Sequence, residues 1–219
     1  MASRENSFTR LREGKWTTDG AVLAAIADSS AKFQTLADGS GTYVYDEYTV
    51  TILKMPPDLT AEAYLLEFAK SPNAAVNNGA FNTINKFTKR TSTDPKIGDI
   101  YDIDIMGPDN GSIVLVALSG AFGNRTGDAY FDIQTISCDK YGSHPENGAR
   151  EFGFEYVPEG VKFYTRGVSR PGNFIVRAAG AAPQMASWTA MMKGISEAIR
   201  ARGGTPKENS FTATKFEKP

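Results

Sequence analysis

The chain has 219 residues, of which 41% are hydrophobic and 22% are charged. This composition is typical of a soluble globular protein, and the length suits one large domain better than two small ones. The formal net charge is −1, so electrostatics provides no general attraction to nucleic acid or to an anionic membrane. The longest apolar run, Ile113–Leu118, is far too short for stable insertion across a bilayer.

The cellular compartment is predicted from the N-terminus and from the cysteine count. The segment Met1–Asn6 lacks the apolar core of a secretory signal peptide. Cys138 is the only cysteine, so no disulfide can form within the chain. Both features favour a cytoplasmic protein, or one exported by a route that needs no classical signal peptide.

Two segments precede the first strand pattern. Residues 1–18 are polar except for two isolated hydrophobic residues, Phe8 and Trp16, and we predict an irregular N-terminal tail there. In Asp19–Ala37, apolar residues recur at roughly helical spacing, which predicts an additional helix within residues 19–41. Because the tail is polar and lies outside the patterned region, we expect the stability of the fold to depend little on it.

The main domain is predicted to begin with one strand and two short helices. Tyr43–Leu53 mixes aromatic and β-branched residues, which is the composition of a strand. Leu59–Phe68 has an apolar side suited to a short helix, and Asn78–Phe87 presents Phe81 and Ile84 on one helical side. Two short helices after the first strand are a specific topological feature.

A series of strand-like runs follows the two helices. The runs are Asp99–Met106, Ser112–Phe122, Ala129–Ser137, Arg150–Val157, Val161–Ser169 and Phe174–Ala178. Short strands separated by tight turns are typical of an antiparallel meander. In the first run Tyr101 alternates with Asp102 and Asp104, and this alternation predicts a solvated face for the aspartates rather than a metal site.

A long amphipathic helix is predicted over Pro183–Arg202, followed by a polar tail at residues 205–219. The apolar side of the helix consists of Met185, Trp188, Met192, Ile195 and Ile199. The pentapeptide Glu-Asn-Ser-Phe-Thr occurs at residues 5–9 and again at residues 208–212, one copy in each tail. The repeat is either a coincidence or a pair of docking elements for a homo-oligomer or a protein partner.

The order of these elements resembles the helix-grip fold of the START-like superfamily, which includes Bet v 1-type plant proteins, START domains and aromatic polyketide cyclases. The resemblance covers residues 43–202. The segment His144–Gly148, ahead of Phe152-Gly153-Phe154, is similar to a turn before a strand in some uncharacterised bacterial members. The implied fold class is α+β, with a curved antiparallel sheet of about seven strands wrapped around the C-terminal helix.

The resemblance also implies an apolar cavity between the sheet and the C-terminal helix. The residues expected to line it are Tyr101, Ile103, Phe131, Phe152, Phe154, Tyr156, Phe163, Thr165, Trp188 and Met192. A small hydrophobic or amphipathic ligand, such as a lipid, an isoprenoid or a polyketide-like molecule, is the expected occupant. The same residues also suit an ordinary packed core, and three functions stay open: ligand binding, a cyclase, isomerase or hydrolase activity in the same cavity, and a structural protein with docking tails.

Recognisable catalytic motifs are absent from the sequence. The single histidine, His144, lies in a Ser-His-Pro turn and is expected to be a surface loop residue. One histidine and one cysteine do not suffice for a His/Cys metal site, and no glycine-rich segment has the spacing of a phosphate-binding loop. The sequence therefore predicts neither a metal nor a cofactor.

Overall fold

A computed structural model describes residues 4–106, 110–119, 129–172 and 181–218, without the side chains of Asp28 and of residues 181–183. The α-helices are α1 (Arg4–Glu13), α2 (Gly20–Ile26), α3 (Ala61–Lys70), α4 (Pro72–Val76), α5 (Gly79–Ile84) and α6 (Ala181–Ala201). Short 3₁₀ turns occupy Lys15–Thr18, Ala27–Ser29 and Leu36–Asp38. In the described part of the chain, no helix is long and apolar enough to cross a membrane.

The strands form one antiparallel sheet. They are β1 (Lys32–Phe33), β2 (Tyr43–Lys54), β3 (Asn85–Lys89), β4 (Ile100–Ile105), β5 (Gly111–Ser119), β6 (Ala129–Ser137), β7 (Glu146–Val157), β8 (Gly160–Pro171), β9 (Thr205–Pro206) and β10 (Thr212–Lys218). The order across the sheet is β10-β2-β8-β7-β6-β5-β4-β3, with β1 beside β6 and β9 beside β2. The meander predicted from the alternating runs is therefore present from β4 to β8.

The concave face of the sheet packs against α6 and the shorter helices α3 to α5. Phe154 and Ile52 on the strands and Met191 and Ile199 on α6 are completely buried in this core. The predicted α+β helix-grip architecture is confirmed, with ten strands in the described residues where about seven were expected. Met185, predicted on the apolar side of the helix, is 49% exposed.

The convex face is covered by the N-terminal part of the chain, which differs from the irregular tail predicted for residues 1–18. Arg4–Glu13 is a helix, and Phe8, Leu11 and Trp16 are buried in a second core on this face. The pattern is hard to detect because the inner side of α1 also carries polar residues such as Ser7. The sheet is therefore covered on both faces, while the division of the chain into tails and a START-like domain stays a prediction.

The segment between α1 and β2 is less helical than its sequence pattern indicates. Helix α2 begins at its cap, Asp19, whose carboxylate accepts hydrogen bonds from the backbone N–H groups of Ala21 and Val22. The helix predicted over Asp19–Ala37 nevertheless ends at Ile26, and the chain continues through a 3₁₀ turn into β1. The apolar residues that continue the spacing are used to pack this segment onto the sheet.

Two further elements were missed between β2 and β4. The helix predicted over Asn78–Phe87 ends at Ile84, and β3 begins at Asn85. The side chain of Asn73 holds this change of conformation, since it accepts a hydrogen bond from the N–H of Phe87 at 2.7 Å and donates one to the carbonyl of Asn85 at 2.7 Å. Asn73 itself lies in α4, a short helix that sequence analysis did not predict, while the predicted strand Phe174–Ala178 falls outside the described residues.

The C-terminal segment is a strand of the sheet rather than a free tail. Strand β10 pairs with β2, and Phe216 stacks on Tyr45 on the convex face, with ring centroids 5.0 Å apart. The two pentapeptide copies lie in different structures, one in α1 and one ahead of β10. Phe8 is buried on the convex face and Phe211 packs against the concave core, so the two copies do not form equivalent docking elements.

Charged residues beneath α1 form a buried network on the convex face. Arg10 donates a hydrogen bond to Asp132 at 2.8 Å and also pairs with Glu151, and both carboxylates are fully buried. Arg166 donates to Glu47 at 2.6 Å. Burial raises the pKa of Asp132, and the hydrogen bond from Arg10 opposes that rise. The buried charged groups on the convex face of the central strands thus find their hydrogen-bond partners on α1 and on neighbouring strands.

A second charged cluster corrects the expectation for Asp102. This residue is only 5% exposed, in contrast with the solvated position expected from strand alternation. Its carboxylate accepts hydrogen bonds from Arg90 at 2.8 Å, from Lys140 at 3.0 Å and from the hydroxyl of Ser112 at 2.8 Å. The Asp102 carboxylate is thus hydrogen-bonded within the protein by two cations and one hydroxyl. Asp104, by contrast, is exposed as expected.

Removing the Phe8 side chain tests the importance of α1. We expect Phe8→Ala to lower the free energy of unfolding by about 3–5 kcal/mol, because it opens a cavity between Tyr45 and Phe216. The control is Leu23→Ala on α2, where the side chain is 42% exposed and a change of about 0.5 kcal/mol or less is expected. Urea denaturation measures both. Equal stability of the two variants would show that α1 contributes little.

A double-mutant cycle tests the network beneath α1. Arg10→Gln removes the cation of Asp132 and one of the two cations beside Glu151, which keeps Arg166 at 3.7 Å, and should cost about 3–5 kcal/mol. In the Asp132→Asn background, the same change should cost at least about 1 kcal/mol less, because one of the two carboxylates is already neutral. Urea denaturation of the four proteins gives the coupling energy. A coupling energy of zero would contradict the assignment of Arg10 as their partner.

Candidate ligand-binding site

A cavity of about 80 Å³ lies between the N-terminal part of α6 and the concave face of the sheet. One part of its wall is apolar and consists of Phe87, Ile103, Ile113, Ile133 and Trp188. The polar groups gather where β7 and β8 meet, and they include Glu146, Arg150 and Ser169. An apolar wall with a few convergent polar groups is the usual composition of a small-molecule site.

Arg150 is the central polar residue of the cavity. Its guanidinium donates a hydrogen bond to Asp46 at 2.6 Å and another to the hydroxyl of Thr165 at 3.2 Å. It also lies 4.3 Å from the ring centroid of Trp188, which is a close cation–π contact. Burial raises the pKa of Asp46, and the charge of Arg150 opposes that rise.

The strand register explains how this ion pair fits inside the sheet. Gly167 on β8 lies opposite Arg150 on β7 and opposite Asp46 on β2. A Cβ atom at position 167 would come within 2.4 Å of the Arg150 Nη2 atom. Since glycine leaves this space free, the side chains from the two flanking strands meet across the strand between them.

Glu146 brings a second ionisable group to the cavity. Burial raises the pKa of Glu146 to about 7, and a hydrogen bond with Ser169 opposes the rise. A carboxyl group with this pKa changes between its protonated and ionised forms near neutral pH. Glu146 can therefore act as a hydrogen-bond donor when it is protonated and as an acceptor when it is ionised.

His144 lies beside Glu146, with its ring against the sheet rather than free in a surface loop. Its Nδ1 atom lies 3.0 Å from the backbone N of Glu146 and 3.0 Å from the backbone O of the same residue. A Cβ atom at Gly111 would come within 2.2 Å of the imidazole ring. Burial lowers the pKa of His144 to about 4, so the imidazole is neutral at pH 7 and shapes the wall of the cavity.

Trp188 supplies an unsatisfied donor. Its side chain lines the cavity and the residue is only 7% exposed, yet the indole Nε1 has no hydrogen-bond partner among the described residues. Buried donors are nearly always paired with protein or with bound molecules. The indole N–H can thus donate a hydrogen bond to an oxygen atom of a ligand or of water.

Most of the residues predicted for the site form a packed core instead. Ile103 and Trp188 line the cavity described above. Two voids of about 10 Å³ each, too small for more than one water molecule, are lined by five others: Tyr101, Phe131, Phe152, Phe163 and Met192. The concave face is consequently filled by its own aromatic side chains over most of its length.

Three of the predicted site residues line none of these spaces. Phe154 is completely buried in the concave core. Thr165 is also buried, and its hydroxyl donates to the carbonyl of Glu151 at 2.9 Å while it accepts from Arg150. Tyr156 is 40% exposed, and its hydroxyl donates to Glu62 at 3.0 Å.

Sequence analysis missed the polar end of the cavity. The signal for Arg150 was present, because it shares the strand face of Phe152 and Phe154 at positions i, i+2 and i+4. Glu146 and His144 carried no such signal, since they lie in what resembled a surface turn. In the described residues, no group of three or more His, Cys, Asp or Glu side chains is arranged to hold a metal ion.

Comparison with known proteins gives only distant likenesses. No model of a protein family matches the chain, and no curated protein matches it. Among solved structures, the di-domain ARO/CYC StfQ from the steffimycin biosynthetic pathway is 15% identical with a TM-score of 0.47, and the match covers 77% of this chain and 53% of StfQ. The chain thus spans about half the length of StfQ.

Two further solved structures are similar to this chain. Ara h 8.0201 is 10% identical with a TM-score of 0.41, and the match covers 69% of this chain and 97% of that protein. A conserved protein from Geobacillus kaustophilus is 9% identical with a TM-score of 0.40, and the match covers 76% of this chain and 99% of that protein. These similarities concern the backbone fold only. The ligand, the cytoplasmic location and the absence of a nucleic-acid partner stay predictions.

The raised pKa of Glu146 predicts a pH dependence of stability. The folded state holds this proton up to about pH 7, whereas the unfolded chain releases it near pH 4.5. Protonation therefore stabilises the fold fully below pH 4.5, and this contribution is lost as the pH rises towards 7. We expect the stability of the wild type relative to Glu146→Gln to fall over this range, by at most about 1.4 kcal/mol for each pH unit.

Glu155→Gln is the matched control for this experiment. Glu155 lies on the same strand but on the opposite face, where it pairs with Lys162. The stability of Glu155→Gln relative to the wild type serves as the baseline for the effect of removing one carboxyl group from this strand. Urea denaturation at four or five pH values within this range measures all three proteins, and a constant difference between wild type and Glu146→Gln would contradict the burial of this carboxyl group.

Proposed function

We propose that the protein binds a compact amphipathic ligand in the cavity beneath α6. The observation that carries the proposal is that one largely apolar space is lined both by Trp188, whose indole N–H has no partner among the described residues, and by the buried guanidinium of Arg150. The ligand's apolar part contacts Ile103 and Ile133, and its oxygen atom accepts a hydrogen bond from Trp188. Arg150 and Glu146 provide further polar contacts at the same end.

The charges of the site favour a neutral oxygen acceptor over a carboxylate. Arg150 is already paired with Asp46 at 2.6 Å, so it has little net charge to offer an anion. Glu146 is neutral below about pH 7 and negative above that pH, and its negative form would repel a carboxylate. A ketone, ester or amide group meets these conditions because it accepts hydrogen bonds without carrying charge.

The size of the cavity favours a small molecule. Its volume of about 80 Å³ is well below the range of roughly 300–1,000 Å³ that is usual for drug-sized ligands. A lipid, an isoprenoid or a polyketide-like ligand would therefore require the aromatic residues of the concave face to change their packing. A compact carbonyl compound makes no such demand.

A second candidate function is proton transfer on the bound molecule. Glu146 is the group that favours it, because a carboxyl group with a pKa of about 7 can both give and take a proton at neutral pH. Hydrogen bonds from Trp188 and Arg150 to the carbonyl oxygen would make the C–H groups on the α-carbon of the bound compound more acidic. This acidity is the first requirement of an isomerase or a cyclase. The distinguishing measurement is the exchange of α-hydrogens of added cyclohexanone in D₂O, with Glu146→Gln as control.

The indole N–H resonances of the two tryptophans test ligand binding directly. Cyclohexanone is the probe. It should shift the Trp188 signal in a saturable manner, because its carbonyl oxygen accepts a hydrogen bond from the unpaired indole N–H. Trp16 is an internal control, since its indole N–H already donates to Gln134 at 3.1 Å on the other face of the sheet. Methylcyclohexane, which has no oxygen, should shift neither signal in this way.

A pair of substitutions on β4 locates the binding site. Ile103→Phe places a larger side chain in the cavity wall and should weaken cyclohexanone binding at least about tenfold. Ile105→Phe makes the same change two residues further along the same face, at a residue that is not among those lining the cavity, and should leave the affinity unchanged. The proposal fails if the Trp188 signal does not saturate, or if both variants bind as well as the wild type.

A further inference from the structure

A second and larger concave space lies on the opposite face of the sheet. It runs between α1 and the paired strands β2 and β10, and its volume is about 340 Å³. We call it the outer groove and define it by Arg4, Phe8, Arg12, Tyr45, Phe216 and Lys218. Its volume falls within the range of roughly 300–1,000 Å³ that is usual for small-molecule sites.

The floor of the outer groove is aromatic. Tyr45 and Phe216 are cross-strand neighbours whose rings are parallel within 4° at a centroid distance of 5.0 Å. Phe8 from α1 meets both rings edge-on, at 5.4 Å from Tyr45 and 5.7 Å from Phe216. Each ring is held by the other two. Phe8 and Tyr45 are buried and Phe216 is half-buried, so Phe216 supplies most of the apolar surface that the groove offers to a ligand.

The walls of the outer groove are positively charged. Lys218 and Arg4 lie over the aromatic floor, with Lys218 Nζ 5.5 Å and the Arg4 guanidinium carbon 5.7 Å from the Phe216 centroid. Arg4 also lies 3.5 Å from Glu47. Within the described residues, neither Arg12 nor Lys218 has an ion-pair partner, and Glu5 is the only acidic residue of the wall.

Positive walls around an aromatic floor select a particular kind of molecule. An anionic group gains from Arg12 and Lys218, and a flat ring gains from the apolar floor and from the planar guanidinium of Arg4. The groove lining holds three cationic side chains and one acidic one, whereas the whole chain has a net charge of −1. A long polyanion would meet no extended basic surface of the kind that tracks a nucleic-acid backbone.

We propose that the outer groove binds a small aromatic anion, with its phosphate or carboxylate between Arg12 and Lys218 and its ring against Phe216. The groove and the cavity beneath α6 lie on opposite faces of the sheet and share none of their lining residues. The outer groove therefore stands independently of the function proposed for that cavity. A ligand in one space makes no contact with a ligand in the other.

The test is an NMR titration of the full chain with naphthyl phosphate at low ionic strength. Backbone amide signals of α1 and β10 should move in a saturable manner. Naphthol and inorganic phosphate, which represent the two halves of the probe, should each bind at least tenfold more weakly. Raising the salt concentration should weaken binding of naphthyl phosphate, since exposed charges supply part of the affinity.

Two substitutions and one control test which cationic side chains bind the anion. Arg12→Gln and Lys218→Gln should each weaken binding about fivefold, the effect of one exposed charge pair in water. Lys193→Gln is the matched control, because Lys193 is exposed on α6 and far from the groove. Both groove residues are exposed, so the variants should fold as the wild type does.

Several outcomes would overturn the proposal. One is the absence of saturable shifts, and another is a set of shifts confined to residues around Trp188. Binding of naphthol as tight as that of its phosphate would show that the anion is not recognised. An equal loss of affinity in Lys193→Gln would show that the probe responds only to the overall charge of the protein.

Discussion

Burial of the sheet on both faces is the constraint on which the rest of this structure depends. Central strands of this kind alternate between an apolar core on the concave side and a mixed layer of charges on the convex side. The charges can be buried only because α1 brings partners to them, as Arg10 does for Asp132 and Glu151. Without that helix, two carboxylates would face the solvent beside a row of apolar residues, and the sheet would lose its outer layer.

The same alternation produces the candidate site on the concave side. Arg150 stands on the face that otherwise carries Phe152 and Phe154, and its charge is tolerated because Asp46 reaches it across Gly167. Burying the pair costs desolvation free energy, and the packing of aromatic side chains around it excludes water from most of the concavity. The small remaining space is therefore polar at one end, and its chemistry is set by a few residues.

The parts of the fold that could be predicted from sequence are those with a single periodic signal. Strict alternation identified the strands around Tyr101 and Phe131, and the stripe containing Trp188 and Ile199 identified α6. The helix α1 escaped because Ser7 and Arg10 face the sheet through polar contacts, which hydrophobic periodicity cannot register. Alternation also could not show that Asp102 is covered, because a polar strand face looks the same whether water or ion pairs satisfy it.

The outer groove has a consequence for the order of events in folding. Its walls come from segments far apart in sequence, since Thr49 on β2 bonds Thr212 on β10 across 163 positions and Ser7 on α1 bonds Arg166 across 159 positions. Closing such long loops is costly in entropy and is expected late in folding. A molecule that occupies the groove would recognise only chains that have completed this closure, and it would raise the free energy of unfolding with the logarithm of its concentration above the dissociation constant.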